Sequence, residues 1–145
     1  MTLPLLFDLD GTITDSRRGI TGCIRHALLE LGYRPPPDGE LTQYVGPPLA
    51  ASFGTLLGAS GPALVEQAIA LYRDRYDHVG IFENDVYPGI TDALAELAAD
   101  GHHMRIVTAK PRTYALRIIE HFGLADMFTA VHGPESPTAT TRKRP

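Results

Sequence analysis

Two rhythms of apolar and polar positions run along this chain. Residues 3–7 (LPLLF), 103–108 (HMRIVT) and 128–132 (FTAVH) are short, largely apolar runs, the first followed by Asp8, the second preceded by Gly101 and the third followed by Gly133. Such runs predict buried strands. Elsewhere the apolar residues recur every three or four positions. Ile20, Ile24, Ala27, Leu28 and Leu31 predict a helix over residues 17–31, with Asp15 or Ser16 at its start and Gly32 at its end. Asp38 is placed to cap a short helix that runs towards Val45. Residues 49–57, after the Gly46-Pro47-Pro48 break, predict another helix. Leu64, Val65, Ala68, Ile69, Tyr72 and Tyr76 predict a longer one over 62–76. Ile90, Ala93, Leu94, Leu97 and Ala98 mark a helix stopped by Gly101. Ala115, Ile118, Ile119 and Phe122 mark one that opens at Pro111 and closes at Gly123.

The order of these elements predicts the architecture. Strands alternating with helices build a parallel sheet with helices on its faces. The stretch 16–84 is almost all helix and turn, so it reads as an insertion after the first strand. The expected layout is an α/β core over residues 1–15 and 85–135, a helical cap over 16–84, and a polar, patternless, disordered tail over 136–145.

Composition narrows the class without changing this picture. The 145 residues are 43% hydrophobic and 21% charged, with a formal net charge of −4, which suits one modest soluble domain and argues against nucleic acid as a partner. One cysteine, Cys23, leaves no internal disulfide and fits a reducing compartment. No apolar run approaches 18 residues and no signal-peptide pattern opens the chain, so no membrane partner is expected and the expected location is the cytoplasm.

The candidate chemistry sits at the strand ends, where open parallel sheets bind ligands. Asp8 and Asp10 follow the first strand two residues apart, and residues at i and i+2 of an extended segment share a side. Two carboxylates that close repel unless a cation or a protonated partner offsets them. Mg2+, a hard ion that takes oxygen ligands and leaves room for phosphate, meets that need. Gly11 permits a tight turn whose N–H groups can face an anion. Thr108 ends the second strand and would join the same pocket if the two strands are neighbours. The alternatives fare worse. A calcium loop counted from Asp8 would need Gly sixth and Glu twelfth, but Ile13 and Gly19 stand there. The chain has neither G-x-G-x-x-G nor a P-loop, and its six histidines show no metal-ligand spacing.

At these residues the chain resembles the haloacid dehalogenase superfamily. FDLDGTITDS (7–16) is similar to its first signature, D-x-D-G-T after a buried strand, and RIVTAKP (105–111) to its second. YVGPPLAASF and FENDVYPGI resemble cap and re-entry segments of its phosphoglycolate phosphatase branch. The resemblance covers about residues 3–135 and implies a Rossmann-like core with a small helical cap. It also implies roles. Asp8 is the nucleophile that forms an aspartyl phosphate, and Asp10 is the general acid and then base. Mg2+ is held by the Asp8 carboxylate and the Asp10 carbonyl oxygen. Gly11, Thr12, Thr108, Ala109 and Lys110 surround the phosphate.

Two superfamily parts are not recognisable: a charge-offsetting lysine and a later acidic pair for the metal. Lys143 lies near the expected lysine spacing but inside the patternless tail. The loss of pattern after Glu135 reads as a truncation or shifted frame, leaving the sheet incomplete at its C-terminal end. The expected function is a Mg2+-dependent phosphatase of a small phosphorylated metabolite, phosphoglycolate first and a nucleoside monophosphate (5'-nucleotidase) next. A sugar phosphomutase is the alternative within that chemistry. A non-catalytic remnant with at most phosphate or metal binding is the alternative outside it. Weak or absent turnover is expected of the 145 residues alone.

Overall fold

The computed structural model describes residues 3–135. Its elements in chain order are β1 (Leu5–Phe7), β2 (Thr14–Asp15), α1 (Arg17–Glu30), α2 (Asp38–Leu41), α3 (Leu49–Leu57), α4 (Pro62–His78), β3 (Asp85–Val86), α5 (Ile90–Ala99), β4 (Met104–Val107), α6 (Arg112–His121) and β5 (Ala130–His132). The chain divides into two compact units, one of Met1–Asp15 with Asp85–Pro145 and the other of Ser16–Asn84.

The first unit is α/β. A parallel sheet runs in the order β1-β4-β5, with Phe7 beside Ile106 and Ile106 beside Val131. Met104, Ile106 and Val131 are buried on one face, where Leu94 of α5 and Ala115, Ile118 and Ile119 of α6 are also buried. A two-residue antiparallel pair, Thr14 with Val86 and Asp15 with Asp85, ties the end of the first segment to the start of the second.

The strands are shorter than the sequence suggests, and the first is not wholly buried. Pairing starts at Leu5, whose N–H reaches His103 O at 2.9 Å. Leu3, before the strand, is 79% exposed, and Leu6 is 63% exposed because alternate residues of a strand face opposite sides. Helix α5 also buries less than its apolar spacing suggests: Leu94 is buried, while Ala93 and Ala98 are exposed. Pro111 stands just before α6 rather than inside it. The expected caps at Ser16 and Asp38 make no side-chain cap bond; Asp38 lies in the first turn of α2, after Pro37.

The second unit is helical. Helix α1 packs along α4, and α4 along α3. Cys23, Ile24, Ala27 and Leu28 of α1 are buried with Phe53 of α3 and Ala68, Tyr72 and Tyr76 of α4. Tyr72 stacks on Tyr76 at 5.7 Å between centroids and meets Phe53 edge-on at 6.3 Å, geometry that adds to area burial. The turn Gly80–Phe82 presses against α1 at Gly19. Beside it Arg75 donates to Glu83 Oε1 at 2.6 Å and to the Cys23 sulfur at 3.3 Å.

Burial pushes the Cys23 thiol above its ordinary value, against the lowering pull of Arg75. Cys23 is 0% exposed, so both access and thiolate supply are cut. The native chain is expected to react with a thiol reagent at pH 8 only as fast as the second unit opens, and at once in urea. Rapid native labelling would contradict this packing. The linkage has a definite sign. A raised folded value stabilises below the unfolded thiol range, about pH 8.5, and that contribution is lost as pH rises through it.

Candidate active site

The site begins with a loop plugged into its own core. Leu9 and Ile13 are fully buried, while Asp8 is exposed and Asp10 half-buried. Leu9 O accepts the N–H groups of Thr12, Ile13 and Thr14 at 3.2, 3.0 and 3.1 Å, and Gly11 N–H reaches Thr14 O at 2.8 Å. Gly11 takes φ +80° to make that turn, a region that side chains with a Cβ avoid. This bonding costs one expectation: the N–H groups of Gly11 and Thr12 donate within the loop instead of facing an anion. The Leu9 N–H turns to Asp8 and donates to its Oδ1 at 2.7 Å.

Because β4 lies parallel to β1, the loop after β4 emerges at the same end of the sheet. Lys110 crosses from that loop to Asp10, with Nζ 3.1 Å from Oδ2 and its side chain only 7% exposed. The other oxygen, Asp10 Oδ1, is buried with no hydrogen-bond partner among the described residues. Thr108 is buried, donates its N–H to His132 O at 3.0 Å, and accepts the Lys110 N–H on its hydroxyl at 3.0 Å. Ala109 is exposed between them. Asp8, Asp10, Gly11, Thr12, Thr108, Ala109 and Lys110 therefore lie at one end of the sheet. Lys143 lies outside the described residues.

The exit of β5 braces this loop, which sequence reasoning missed. A Cβ on Gly133 would stand 2.6 Å from Lys110 O and 3.2 Å from Thr108 O, so only a glycine lets β5 approach so closely. Arg112 holds the same exit through Nε to Val131 O at 3.0 Å and its N–H to Pro134 O at 2.7 Å. Neither residue carries a motif; the one available signal was the His-Gly-Pro turn after the last strand.

The donor chemistry fits magnesium. The Asp8 carboxylate and the Asp10 carbonyl are hard oxygens, and the exposed Asp8 stands at the end of β1. Magnesium takes one or two protein carboxylates and completes its shell with water and phosphate. Among the described residues, no group of three His, Cys, Asp or Glu could hold a metal.

Residues 5–143 match the haloacid dehalogenase-like hydrolase family. The chain belongs to that family. Over 139 residues it is 38% identical to a 5'-nucleotidase of Pseudomonas aeruginosa, covering 96% of this chain and 62% of that protein. It is 31% identical over 135 residues to a phosphoglycolate phosphatase of Cereibacter sphaeroides, covering 89% and 61%. It is also 40% identical over 131 residues to the tyrosine-protein kinase PtkA of Mycobacterium tuberculosis, covering 89% and 43%. A solved putative phosphatase from Clostridium difficile superposes with a TM-score of 0.85 at 32% identity, covering 90% of this chain and 60% of that one. This member of the hydrolase family thus spans about three fifths or less of the length of these relatives. Its α/β unit has the sheet order that places the Asp8 and Lys110 loops side by side.

Proposed function

We propose that the chain carries the phosphoryl-transfer centre of a phosphatase acting on a small phosphorylated metabolite in the cytoplasm. The observation that supports this most is the Lys110–Asp10 ion pair at 3.1 Å, which draws the loop after β4 onto the acidic loop after β1. Asp8 is the exposed member of the pair and is assigned as nucleophile. One of its oxygens bonds to phosphorus as the bond from phosphorus to the ester oxygen breaks. Asp10 must carry a proton for this step, so Lys110 leaves it for the bound phosphate, and Asp10 gives that proton to the departing oxygen. It then takes a proton from the water that attacks phosphorus, breaking the bond to Asp8 and releasing phosphate. Thr108 and Lys110 hold phosphate oxygens, and the Ser16–Asn84 unit serves as cap. Mg2+, held by Asp8 and Asp10, would neutralise charge on the phosphoryl group.

The relatives' names favour two substrate classes, a 5'-nucleotide and phosphoglycolate, and no residue described above separates them. Phosphoglycolate stays first because the cap-like segments 44–53 and 82–90 resemble that branch. A sugar phosphomutase shares the chemistry without a partner site to support it. The second reading is a chain that binds phosphate or metal without turning substrate over. It is favoured by one observation: between Pro111 and Glu135 there is no lysine, and the only acids are Glu120, Asp126 and Glu135.

The test is hydrolysis of phosphoglycolate and a set of 5'-nucleotides by the 145-residue chain with Mg2+, beside Lys110→Met. Slow Mg2+-dependent turnover is expected, reduced about 10- to 100-fold in Lys110→Met by loss of one charge-assisted contact. Turnover indifferent to Lys110→Met would remove Lys110 from the site. No turnover, with a melting temperature unmoved by Mg2+ and phosphate, would favour the second reading.

A further inference from the structure

One arginine ties the end of β5 to the loop that carries Lys110. Where β4 and β5 run side by side, the Thr108 N–H takes His132 O at 3.0 Å. Carbonyls alternate in direction along a strand, so Val131 O faces away from β4. Arg112, the first residue of α6, takes that carbonyl with its Nε at 3.0 Å. Its backbone N–H is one of the donors that a helix start leaves without a partner inside the helix, and it goes to Pro134 O at 2.7 Å. The two bonds fall on either side of Gly133 and bracket it.

The bracket holds Gly133 against Lys110. A Cβ on Gly133 would stand 2.6 Å from Lys110 O, 3.2 Å from Thr108 O and 3.3 Å from the Thr108 methyl, so the bare glycine backbone already lies against both residues. The Lys110 N–H rests on the Thr108 hydroxyl at 3.0 Å. The Lys110 main chain is thus gripped at its N–H and backed at its carbonyl. From that base its side chain, 7% exposed, carries Nζ to within 3.1 Å of Asp10 Oδ2. A lysine is a point charge on a flexible stem, so where the charge stands depends on how firmly the main chain beneath it is held. Arg112 itself is exposed, and its described bonds go to β5 and the exit from β5.

We propose that Arg112 is a positioning residue: through Gly133 it holds the Lys110 main chain where Nζ can reach the phosphate. The proposal rests on the assignment of Lys110 to the phosphate made above.

The side-chain bond can be removed with little change in the length of the stem. Arg112→Met puts a methyl where Nε stands, and Arg112→Gln puts an N–H donor there. The first readout is amide exchange in the whole chain without ligand. Arg112→Met should speed exchange at Lys110 by at least about tenfold while Ile106 in β4 keeps its rate, and Arg112→Gln should restore the Lys110 rate. A general loss of stability would instead speed both. The second readout is affinity for inorganic phosphate with Mg2+. Arg112→Met should weaken it about fivefold, the scale of one hydrogen bond, and should add nothing to Lys110→Met, because residues that act through one another do not add. Unchanged exchange at Lys110 would overturn the proposal, as would equal behaviour of Arg112→Met and Arg112→Gln. So would a loss of affinity that persists in Lys110→Met, which would make Arg112 a direct phosphate contact. Phosphate affinity indifferent to Lys110→Met would overturn the site assignment and the proposal with it. The exchange comparison, which needs no ligand, tells that failure from a failure of the clamp.

Discussion

Asp8→Asn is expected to cut phosphoester hydrolysis by the chain at least about a thousandfold, because an amide is a poor nucleophile towards phosphorus and the losses seen on removing nucleophiles are of that order or larger. The same change should leave folding nearly untouched. Asp8 is exposed, and its one described bond is to the adjacent Leu9 N–H, so its stability cost should stay within about 0.5 kcal/mol. A chromogenic phosphate ester with Mg2+ measures the first quantity and a urea titration the second. Hydrolysis that survives in Asp8→Asn would assign the reaction to another residue or to a contaminant.

Gly19→Ala is expected to destabilise the helical unit by about 2–4 kcal/mol. The sign is the point of interest. Gly-to-Ala in a helix interior ordinarily gains up to about 1 kcal/mol. At Gly19 an added Cβ would collide with the carbonyl of Gly80 and lie 2.9 Å from Glu83 O. Both neighbours are backbone, so neither can swing aside as a side-chain tip would. Gly54, inside α3, has nothing within 4 Å of an added Cβ, and Gly54→Ala should stabilise by about 0.5–1 kcal/mol. Urea unfolding of the two variants side by side measures the difference. Equal effects would mean that the turn Gly80–Phe82 does not press on α1 as described.

Gly19 also marks where sequence reasoning stops. Helix α3 was legible because the Gly46-Pro47-Pro48 break sets its start locally; Gly58, at φ +63°, follows its last residue. The Asp8–Asp10 pair was legible because a buried run, two acids and a turn glycine are consecutive. The approach of Gly80 to Gly19 was not, since it joins residues sixty positions apart and leaves no periodic trace. The Thr14–Asp15 and Asp85–Val86 pair was missed for a related reason: two residues are too few to alternate. Lys110 stood out by motif, but its reach to Asp10 depends on β1 and β4 being neighbours, which pattern suggests and only topology decides. The exposure of Leu6 follows from which face the crossovers cover, a property of the whole sheet.

The central claim is that Asp8, at the mouth of β1, bonds to phosphorus. The most direct test is a crystal of the chain soaked with Mg2+ and beryllofluoride, a mimic of a transferred phosphoryl group. The account predicts beryllium bonded to an Asp8 oxygen, with fluorine atoms towards Thr108 and Lys110. Beryllofluoride bound to a different carboxylate, or Asp8 left unmodified at saturating concentration, would contradict it.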